Sequence, residues 1–438
     1  MSESKRDAGL VRAVGTWGLT ANTINAVVGA GIFAAPAAVA SCLGSYGPVA
    51  FLLCAVAIGA VAICLAEGGS RVPTSGGIYG YVEAAFGPMA GYIIGTALWV
   101  GDVLACGGVA AALADVIVSV FPGRFAPVAH ATVIVATIGG MALVNIRGVK
   151  SGMRFVDAAT LVKLIPLGVF VIAGAHAIHR ANFTLGVAPE SSGLGRALLL
   201  ALFVFTGMEV SLTASGEVAD PARTIPRALA IAITSITVLY ISIQVIAQGI
   251  LGGELAQSSA PLADAMARIS PLLRLLMLAA GALSMFGWIS TDVLSSPRIL
   301  FAFGRDGLLP RVLGKLHPRS HAPYVAILSY AALAIGLALS GTFTELAVLS
   351  TLASTVLYIT GCAAAWRLAR HGVARAGTPL RSRWLGVAVA TGIASMLALI
   401  ALASRQEVLG LLGLLVVSAL VYLVQTRRHE FARSESGS

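Results

Sequence analysis

The chain has 438 residues, of which 58% are apolar and only 11% are Asp, Glu, Lys or Arg. Soluble domains carry about 25% charged residues, so this chain has too few charges to cover a water-soluble surface. The composition excludes disordered, collagen-like and nucleic-acid-coating proteins despite a net charge of +10. It predicts a protein whose solvent is lipid.

Apolar stretches long enough to cross a bilayer recur along the whole chain. A membrane-spanning helix needs about 20 apolar residues, and twelve stretches satisfy this, at 13–40, 47–67, 90–120, 127–146, 156–178, 195–219, 226–251, 271–303, 322–340, 344–368, 384–403 and 407–426. Residues 411–424 are typical in showing no polar–apolar alternation, which excludes a lipid-facing β-barrel. The sequence predicts one all-α integral membrane domain at 13–426, between tails at 1–12 and 427–438.

The basic residues outside these spans indicate an orientation. With twelve spans both termini lie on one side, and 22 of the 29 Lys and Arg residues fall on that side, against six on the other. Such residues concentrate on the cytoplasmic side of membrane proteins. We therefore expect a multi-pass protein of the cell (inner) membrane with both termini cytoplasmic, and no nucleic-acid partner is needed to explain the net charge.

Two of the spans are interrupted near their middle. Span 1 contains Gly29-Ala30-Gly31, and span 6 contains Thr206-Gly207-Met208-Glu209. A helix break in hydrocarbon leaves backbone polar groups without partners unless they face a cavity or a ligand. A single glycine can simply allow close helix packing, but a matched pair of breaks five spans apart predicts a substrate site at the middle of the membrane.

Four sequence motifs, in the same order, connect the chain to a known family. They are GAGIF (29–33), PTSGGIYGYV (73–82) continuing to AFGP (85–88), GEVADPARTIPRA (216–228) and RDGLLP (305–310). Through these motifs the chain resembles the amino acid–polyamine–organocation permeases over essentially its whole length. The resemblance implies two inverted five-helix repeats, at about 13–178 and 195–368, with helices 1 and 6 broken and two trailing helices at about 384–426.

The same resemblance implies a substrate bound at the two breaks and moved by alternating access. The half-helix that begins after Gly31 offers free N–H groups to a carboxylate, and carbonyls near Phe205 and Thr206 can accept hydrogen bonds from an ammonium group. The expected substrate-binding residues come from spans 1, 3 and 6: Ala26, Gly29, Ala30, Gly31, Gly101, Asp102, Cys106, Val109, Phe203, Phe205, Thr206 and Gly207.

Lys163 is a basic residue inside span 5. A lysine in the bilayer costs about 2.5–3.5 kcal/mol on insertion scales unless it meets a partner or water. The side chain could snorkel to the interface, because it lies about two turns into its span. By the resemblance, a lysine at this place replaces a sodium ion near the break of span 1 and carries the transported proton, and we favour this role.

Three acidic residues also lie at depth. Asp102 could bind a cationic substrate, pair with Lys163, or form hydrogen bonds within a packed interface, and the sequence does not choose between these. Glu209 at the break of span 6 is interpreted as a gating residue, because a carboxylate can accept N–H groups of a following half-helix. Asp292 in span 8, which follows Trp288 and could contribute to the site, is assigned to the same gating role. Glu67 and Arg71, at the cytoplasmic end of span 2, could form an inner-gate ion pair, but we interpret them as ordinary solvated charges.

These features predict proton-coupled, sodium-independent secondary transport of an amino acid. Phe203, Phe205 and Val109 favour a neutral or aliphatic substrate, whereas the alternative is a cationic amino acid or polyamine with Asp102 as its counter-charge. The expected partners are this small molecule, a proton and the lipid bilayer, in a monomer or homodimer. The chain has no P-loop and no Cys or His spacing typical of metal ligands, so we expect no cofactor and no enzymatic activity.

Overall fold

The computed structural model describes residues 14–73, 77–120, 125–147, 153–183, 191–212, 215, 217–375 and 379–435. These residues form helices joined by short connections. In chain order the helices are α1 (Thr16–Val27), α2 (Gly31–Leu43), α3 (Gly47–Arg71), α4 (Ile78–Phe86), α5 (Pro88–Val120), α6 (Ala126–Arg147), α7 (Met153–Gly174), α8 (Ser191–Phe205), α9 (Met208–Leu212), α10 (Pro221–Leu251), α11 (Pro261–Ala267), α12 (Pro271–Ser295), α13 (Pro297–Arg305), α14 (Tyr324–Ser340), α15 (Phe343–Arg370), α16 (Leu385–Leu402) and α17 (Arg405–Glu435).

The described helices account for every predicted span. By length and composition, nine helical segments among these residues can cross a membrane, and Gly31–Arg71, the longest of them, contains both α2 and α3. Two shorter apolar helices, Lys163–Ala177 and Tyr324–Ser340, fill the remaining predicted positions. The predicted all-α membrane fold is confirmed.

Both predicted interruptions are real breaks in the helices. Span 1 consists of α1, which ends at Val27, and α2, which begins at Gly31; span 6 consists of α8, which ends at Phe205, and α9, which begins at Met208. At the end of the bundle that holds α9, Val14 pairs with Val218 in a parallel bridge. Its two hydrogen bonds join Val14 N to Glu217 O (3.0 Å) and Ala219 N to Val14 O (3.0 Å).

The structure also shows features that the span prediction did not contain. The predicted span 271–303 is divided at Ser296 into α12 and α13, because Pro297 has no N–H and its ring conflicts with the carbonyl four residues earlier. Two short helices, α4 and α11, lie in segments predicted as connections. The carboxyl end of α4 is set by Gly87, whose φ of +91° suits only glycine well.

Helix α5 lies at the centre of the bundle and packs against α6, α12, α14 and α15, while α10 packs on α1 and α3. Small residues allow these close contacts: a Cβ on Gly107 of α5 would lie only 3.3 Å from the Ala334 carbonyl oxygen of α14. On α17, by contrast, Leu409 and Val417 are 57% and 59% exposed. Apolar side chains on the outside and polar side chains between the helices are what a lipid solvent requires.

Candidate functional site

The two helix breaks are in direct backbone contact. Gly207 has a φ of +117°, and a Cβ at this position would lie 2.6 Å from the carbonyl oxygen of Ala26. A Cβ on Gly31 would lie 2.8 Å from Cγ1 of Val204. Because both approaches leave no room for a side chain, glycine at these positions is what allows the breaks to meet.

Side chains from two other helices donate hydrogen bonds to backbone carbonyl groups at the break of span 1. Tyr240 Oη donates to the Val27 carbonyl (3.0 Å), and Ser284 Oγ donates to the Gly29 carbonyl (3.3 Å). The Trp288 indole packs on Gly29, where a Cβ would lie 2.9 Å from the ring. Phe33 N donates to the Ala30 carbonyl (3.2 Å), whereas the N–H groups of the preceding residues Gly31 and Ile32 have no partner within the helix and lie at the positive end of its dipole. This break is therefore chemically suited to a carboxylate.

Glu209 closes the break of span 6. Its Oε1 accepts the Gly207 N–H at 3.0 Å, and its Oε2 accepts the Tyr358 hydroxyl of α15 at 2.8 Å. The Phe203 carbonyl accepts the Thr206 hydroxyl at 2.6 Å. Both carboxylate oxygens of Glu209 are thus used within the protein, and the side chain connects the break to α15.

Lys163 lies beside the break of span 1. Its Nζ donates to Asn25 Oδ1 at 3.1 Å, and Asn25 directly precedes Ala26. The Lys163 side chain is only 6% exposed. Such burial does not fit snorkelling to the interface. Among the described residues no carboxylate lies within ion-pair distance of this ammonium group.

Asp102 and Asp292 form a second polar centre between α5, α12 and α14. Ser296 Oγ lies 2.7 Å from Asp102 Oδ2 and 2.9 Å from Asp292 Oδ1, and the Tyr330 hydroxyl donates to Asp292 Oδ2. The single hydroxyl hydrogen of Ser296 can serve only one of the two carboxyl groups. Of the three interpretations of Asp102, these contacts match hydrogen bonding within an interface.

The remaining predicted residues lie in three places: at the breaks, on α5, and, for Phe205, in the packed core. Ala26, Gly29, Ala30, Gly31, Phe203, Thr206 and Gly207 lie at the breaks, whereas Cys106, fully buried one turn beyond Asp102, lies on the same face of α5 as that residue. Gly101 packs on Ala353 of α15, and Val109 is buried. Phe205 lies between Phe51 and Tyr240, with ring centroids 6.4 and 5.2 Å away, so its ring is a packing element rather than a lining of the breaks.

The sequence prediction missed the hydrogen-bonding partners of the site: Asn25, Tyr240, Ser284, Ser296, Tyr330 and Tyr358. Each is a polar side chain within an apolar span, and burying an unpaired polar group is costly. That cost is a usable signal that these residues have partners. It does not say which helix supplies the partner.

The interpretation of Glu67 and Arg71 as solvated charges is wrong. Arg71 Nη2 lies 2.7 Å from Glu67 Oε1, and the two side chains are 6% and 0% exposed. The connection between α15 and α16 covers them and hydrogen-bonds to them, through Arg71 Nη1 to Val373 O, Arg375 N to Arg71 O, Leu380 N to Ser70 Oγ and Ser382 N to Glu67 Oε2. We call Glu67, Ser70, Arg71 and these four backbone groups the α3 latch.

The outside of the helical bundle is apolar, and two broken helices touch at their breaks. These features are typical of polytopic membrane transport proteins. A family described as amino acid permease matches residues 14–427, and the chain belongs to this family. The resemblance identified from the four motifs is therefore confirmed. The protein is a multi-pass transporter of amino acids and not an enzyme.

Three relatives illustrate the range of the similarity. An uncharacterized transporter of Mycobacterium tuberculosis (strain ATCC 25618 / H37Rv) is 33% identical over 72% of this chain and 71% of its own length. A methylthioribose transporter of Bacillus subtilis (strain 168) is 27% identical over 74% of each chain. A branched-chain amino acid permease of the same organism is 25% identical over 96% of this chain and 94% of its own length.

Proposed function

We propose that this protein is a proton-coupled, sodium-independent secondary transporter of a neutral, aliphatic amino acid. It works by alternating access in the cell (inner) membrane, with both termini in the cytoplasm. The observation that carries the proposal is the position of Lys163, whose buried ammonium group contacts Asn25 beside the break of span 1. A cation of the protein at this place makes a bound metal cation unnecessary and supplies a group that can take up and release a proton.

The substrate class follows from the groups at the two breaks. The amino end of α2 provides N–H donors for a carboxylate. The side chains next to it, Phe203, Val204 and Trp288, are large and apolar and favour an aliphatic side chain on the substrate. The name of the branched-chain amino acid permease supports this choice, and that relative is aligned over 96% of this chain.

We also propose the domain arrangement expected from the sequence, with repeats at about 13–178 and 195–368 and trailing helices at about 384–426. The two breaks support it, because they occur at the same place in spans that are five apart. A monomer or a homodimer is compatible with this arrangement, since one chain contains both breaks.

Uptake into proteoliposomes tests the proposal. The purified protein would be offered radiolabelled branched-chain, small neutral and cationic amino acids, polyamines and methylthioribose, with and without an inwardly directed proton gradient and with sodium present or absent. We expect saturable uptake of branched-chain or other aliphatic amino acids that the proton gradient increases. A strict sodium requirement would contradict the role of Lys163, and a lack of saturable amino acid uptake would contradict the proposed substrate.

Replacing Lys163 with glutamine should separate coupling from substrate movement. Without the titratable group, we expect accumulation driven by the proton gradient to fall about 5–150-fold, the range of a coupling free energy of about 1–3 kcal/mol. Exchange of substrate across the membrane in the absence of a gradient should persist. The matched control is Lys315→Gln, which removes an exposed lysine. Undiminished gradient-driven accumulation in Lys163→Gln would assign coupling to another group.

A second candidate function is transport of cationic amino acids or polyamines, and the carboxyl groups of Asp102 and Asp292 are the observation that favours it. Asp102→Asn distinguishes the two candidates. An amide oxygen still accepts the hydrogen bond from Ser296, so we expect uptake of neutral amino acids to stay within about threefold of wild type. Loss of cationic uptake alone would establish the second candidate. Asp115→Asn on the same helix, where the acid is 53% exposed, is the control.

A further inference from the structure

The connection between α15 and α16 is strongly basic. Residues 366–384 contain Arg367, Arg370, Arg375, Arg381 and Arg383, and residues 346–406 contain no Asp or Glu. Every other basic cluster near a helix end is closer along the chain to an acidic residue. The transport proposal does not use this segment.

The α3 latch gives the described part of this connection a fixed course. The backbone groups of Val373, Arg375, Leu380 and Ser382 bond to the end of α3. With the backbone held in this way, the side chains of Arg367, Arg370, Arg381 and Arg383 are exposed. The arginines are therefore presented on a folded surface rather than on a flexible tail.

These four arginines have no acidic partner among the described residues, unlike four other arginines near helix ends. Arg223, Arg268, Arg274 and Arg305 each lie within 4.0 Å of a carboxylate, on Asp220, Glu254, Asp264 and Asp306 respectively. Within the described residues, no carboxylate lies that close to Arg367, Arg370, Arg381 or Arg383. Their positive charges are thus not neutralised by any carboxylate that the structure describes.

Aromatic rings hold three of these guanidinium groups instead. Arg367 lies over Phe86 at 5.3 Å, Arg370 over Trp366 at 4.8 Å and Arg383 over Trp384 at 5.2 Å. A stacked guanidinium group keeps its in-plane N–H donors available, and their geometry suits a phosphate.

Two tryptophans indicate that this surface lies at the level of the lipid headgroups. Trp366 and Trp384 are 36% and 57% exposed and lie at the ends of apolar helices. Tryptophan is enriched at the boundary between membrane and water. One turn beyond Trp384, Val387 is 60% exposed, as expected for a side chain that faces lipid.

We propose that Trp366, Arg367, Arg370, Arg381, Arg383 and Trp384 form a binding surface for the phosphate of an anionic phospholipid. Basic residues next to a membrane attract anionic headgroups, and this surface combines unneutralised charge, stacked guanidinium groups and interfacial tryptophans. A lipid bound here would stabilise the connection that covers the α3 latch. The proposal does not depend on the transported substrate or on proton coupling.

Lipid-dependent thermal stability of the full-length protein in detergent tests this proposal. Phosphatidylglycerol and phosphatidylcholine would be titrated separately, since a ligand of the native state raises the melting temperature. We expect a larger, saturable increase with phosphatidylglycerol. In the quadruple variant Arg367→Gln, Arg370→Gln, Arg381→Gln and Arg383→Gln, phosphatidylglycerol should bind more than about tenfold more weakly. The matched control, Arg298→Gln, Arg311→Gln, Lys315→Gln and Arg319→Gln, removes the same charge and should bind as wild type.

Three results would overturn the proposal. The first is an equal loss in the control variant, which would make the effect one of net charge. The second is an equal stabilisation by both lipids. The third is stabilisation by inorganic phosphate or glycerol phosphate at the same concentration as phosphatidylglycerol, which would define a soluble-anion site. If the quadruple variant does not fold, Arg383→Gln alone should weaken binding, and replacing all four arginines with lysine should also weaken it, because lysine keeps the charge but loses the planar, stacked donors.

Discussion

Replacing Gly207 with alanine is expected to reduce uptake to below about 1% of wild type, because the strain of a non-glycine residue at this φ costs about 1–3 kcal/mol before any steric overlap. Gly207 has a φ of +117°, and a steric overlap adds to this backbone strain, because the added Cβ would lie 2.6 Å from the Ala26 carbonyl oxygen. That neighbour is backbone and cannot rotate away as a side chain would. The break of span 6 must therefore shift relative to the break of span 1.

Gly59→Ala is the control for this prediction. A Cβ at Gly59 meets no atom within 4 Å, and alanine is favoured over glycine inside a helix. Both variants would be compared in proteoliposome uptake at equal protein amounts, with thermal unfolding in detergent as the measure of folding. Uptake by Gly207→Ala within twofold of wild type would show that the contact between the breaks is not required for transport.

Replacing Arg71 with alanine should lower the free energy of unfolding by about 3–5 kcal/mol, because it leaves the Glu67 carboxylate buried without its charge partner. Glu67 is 0% exposed and loses the 2.7 Å contact to Arg71, while Val373 O loses its side-chain donor. The expected result is a large decrease in melting temperature together with proteolysis of the connection between α15 and α16.

Two further variants make the effect of Arg71→Ala specific. Arg223→Ala removes an arginine from an exposed pair with Asp220, where the side chains are 77% and 59% exposed, and should change stability by less than about 1 kcal/mol. The double variant Glu67→Met with Arg71→Leu removes both charges and should recover part of the lost stability. A melting temperature for Arg71→Ala equal to that of Arg223→Ala would refute a buried, functional α3 latch.

The spans and the two breaks could be predicted from the sequence because lipid imposes a simple rule. Each span must be apolar for about 20 residues, and each interruption requires residues such as Gly29, Gly31 and Gly207 that leave room for a close neighbouring backbone or side chain. Both signals are local, so a short stretch of sequence is enough to recognise each of them. The division at Pro297 was equally local, but hydropathy does not register it, because proline and serine barely interrupt the apolar stretch around them.

The contacts between helices could not be predicted in the same way. Asp102, Asp292 and Tyr330 meet only because α5, α12 and α14 are rotated to face one another, and no short stretch of sequence contains that rotation. Glu67 and Arg71 looked solvated because they end a predicted span. The residues that bury them lie some 300 positions later in the chain. Because charged residues are rare inside the spans, the sequence identifies the charged residues there that need an explanation. It does not identify their partners.

The bridge between Val14 and Val218 has a mechanical consequence for the two broken helices. It joins the start of α1 to the chain just beyond α9, and Thr23 Oγ1 lies 3.0 Å from Ser211 Oγ further along the same pair. These two attachment points are separated along α1, so they connect the half-helices α1 and α9 at two places. We therefore expect a movement of α1 to be transmitted to α9, so that Ala26 and Gly207 are displaced together.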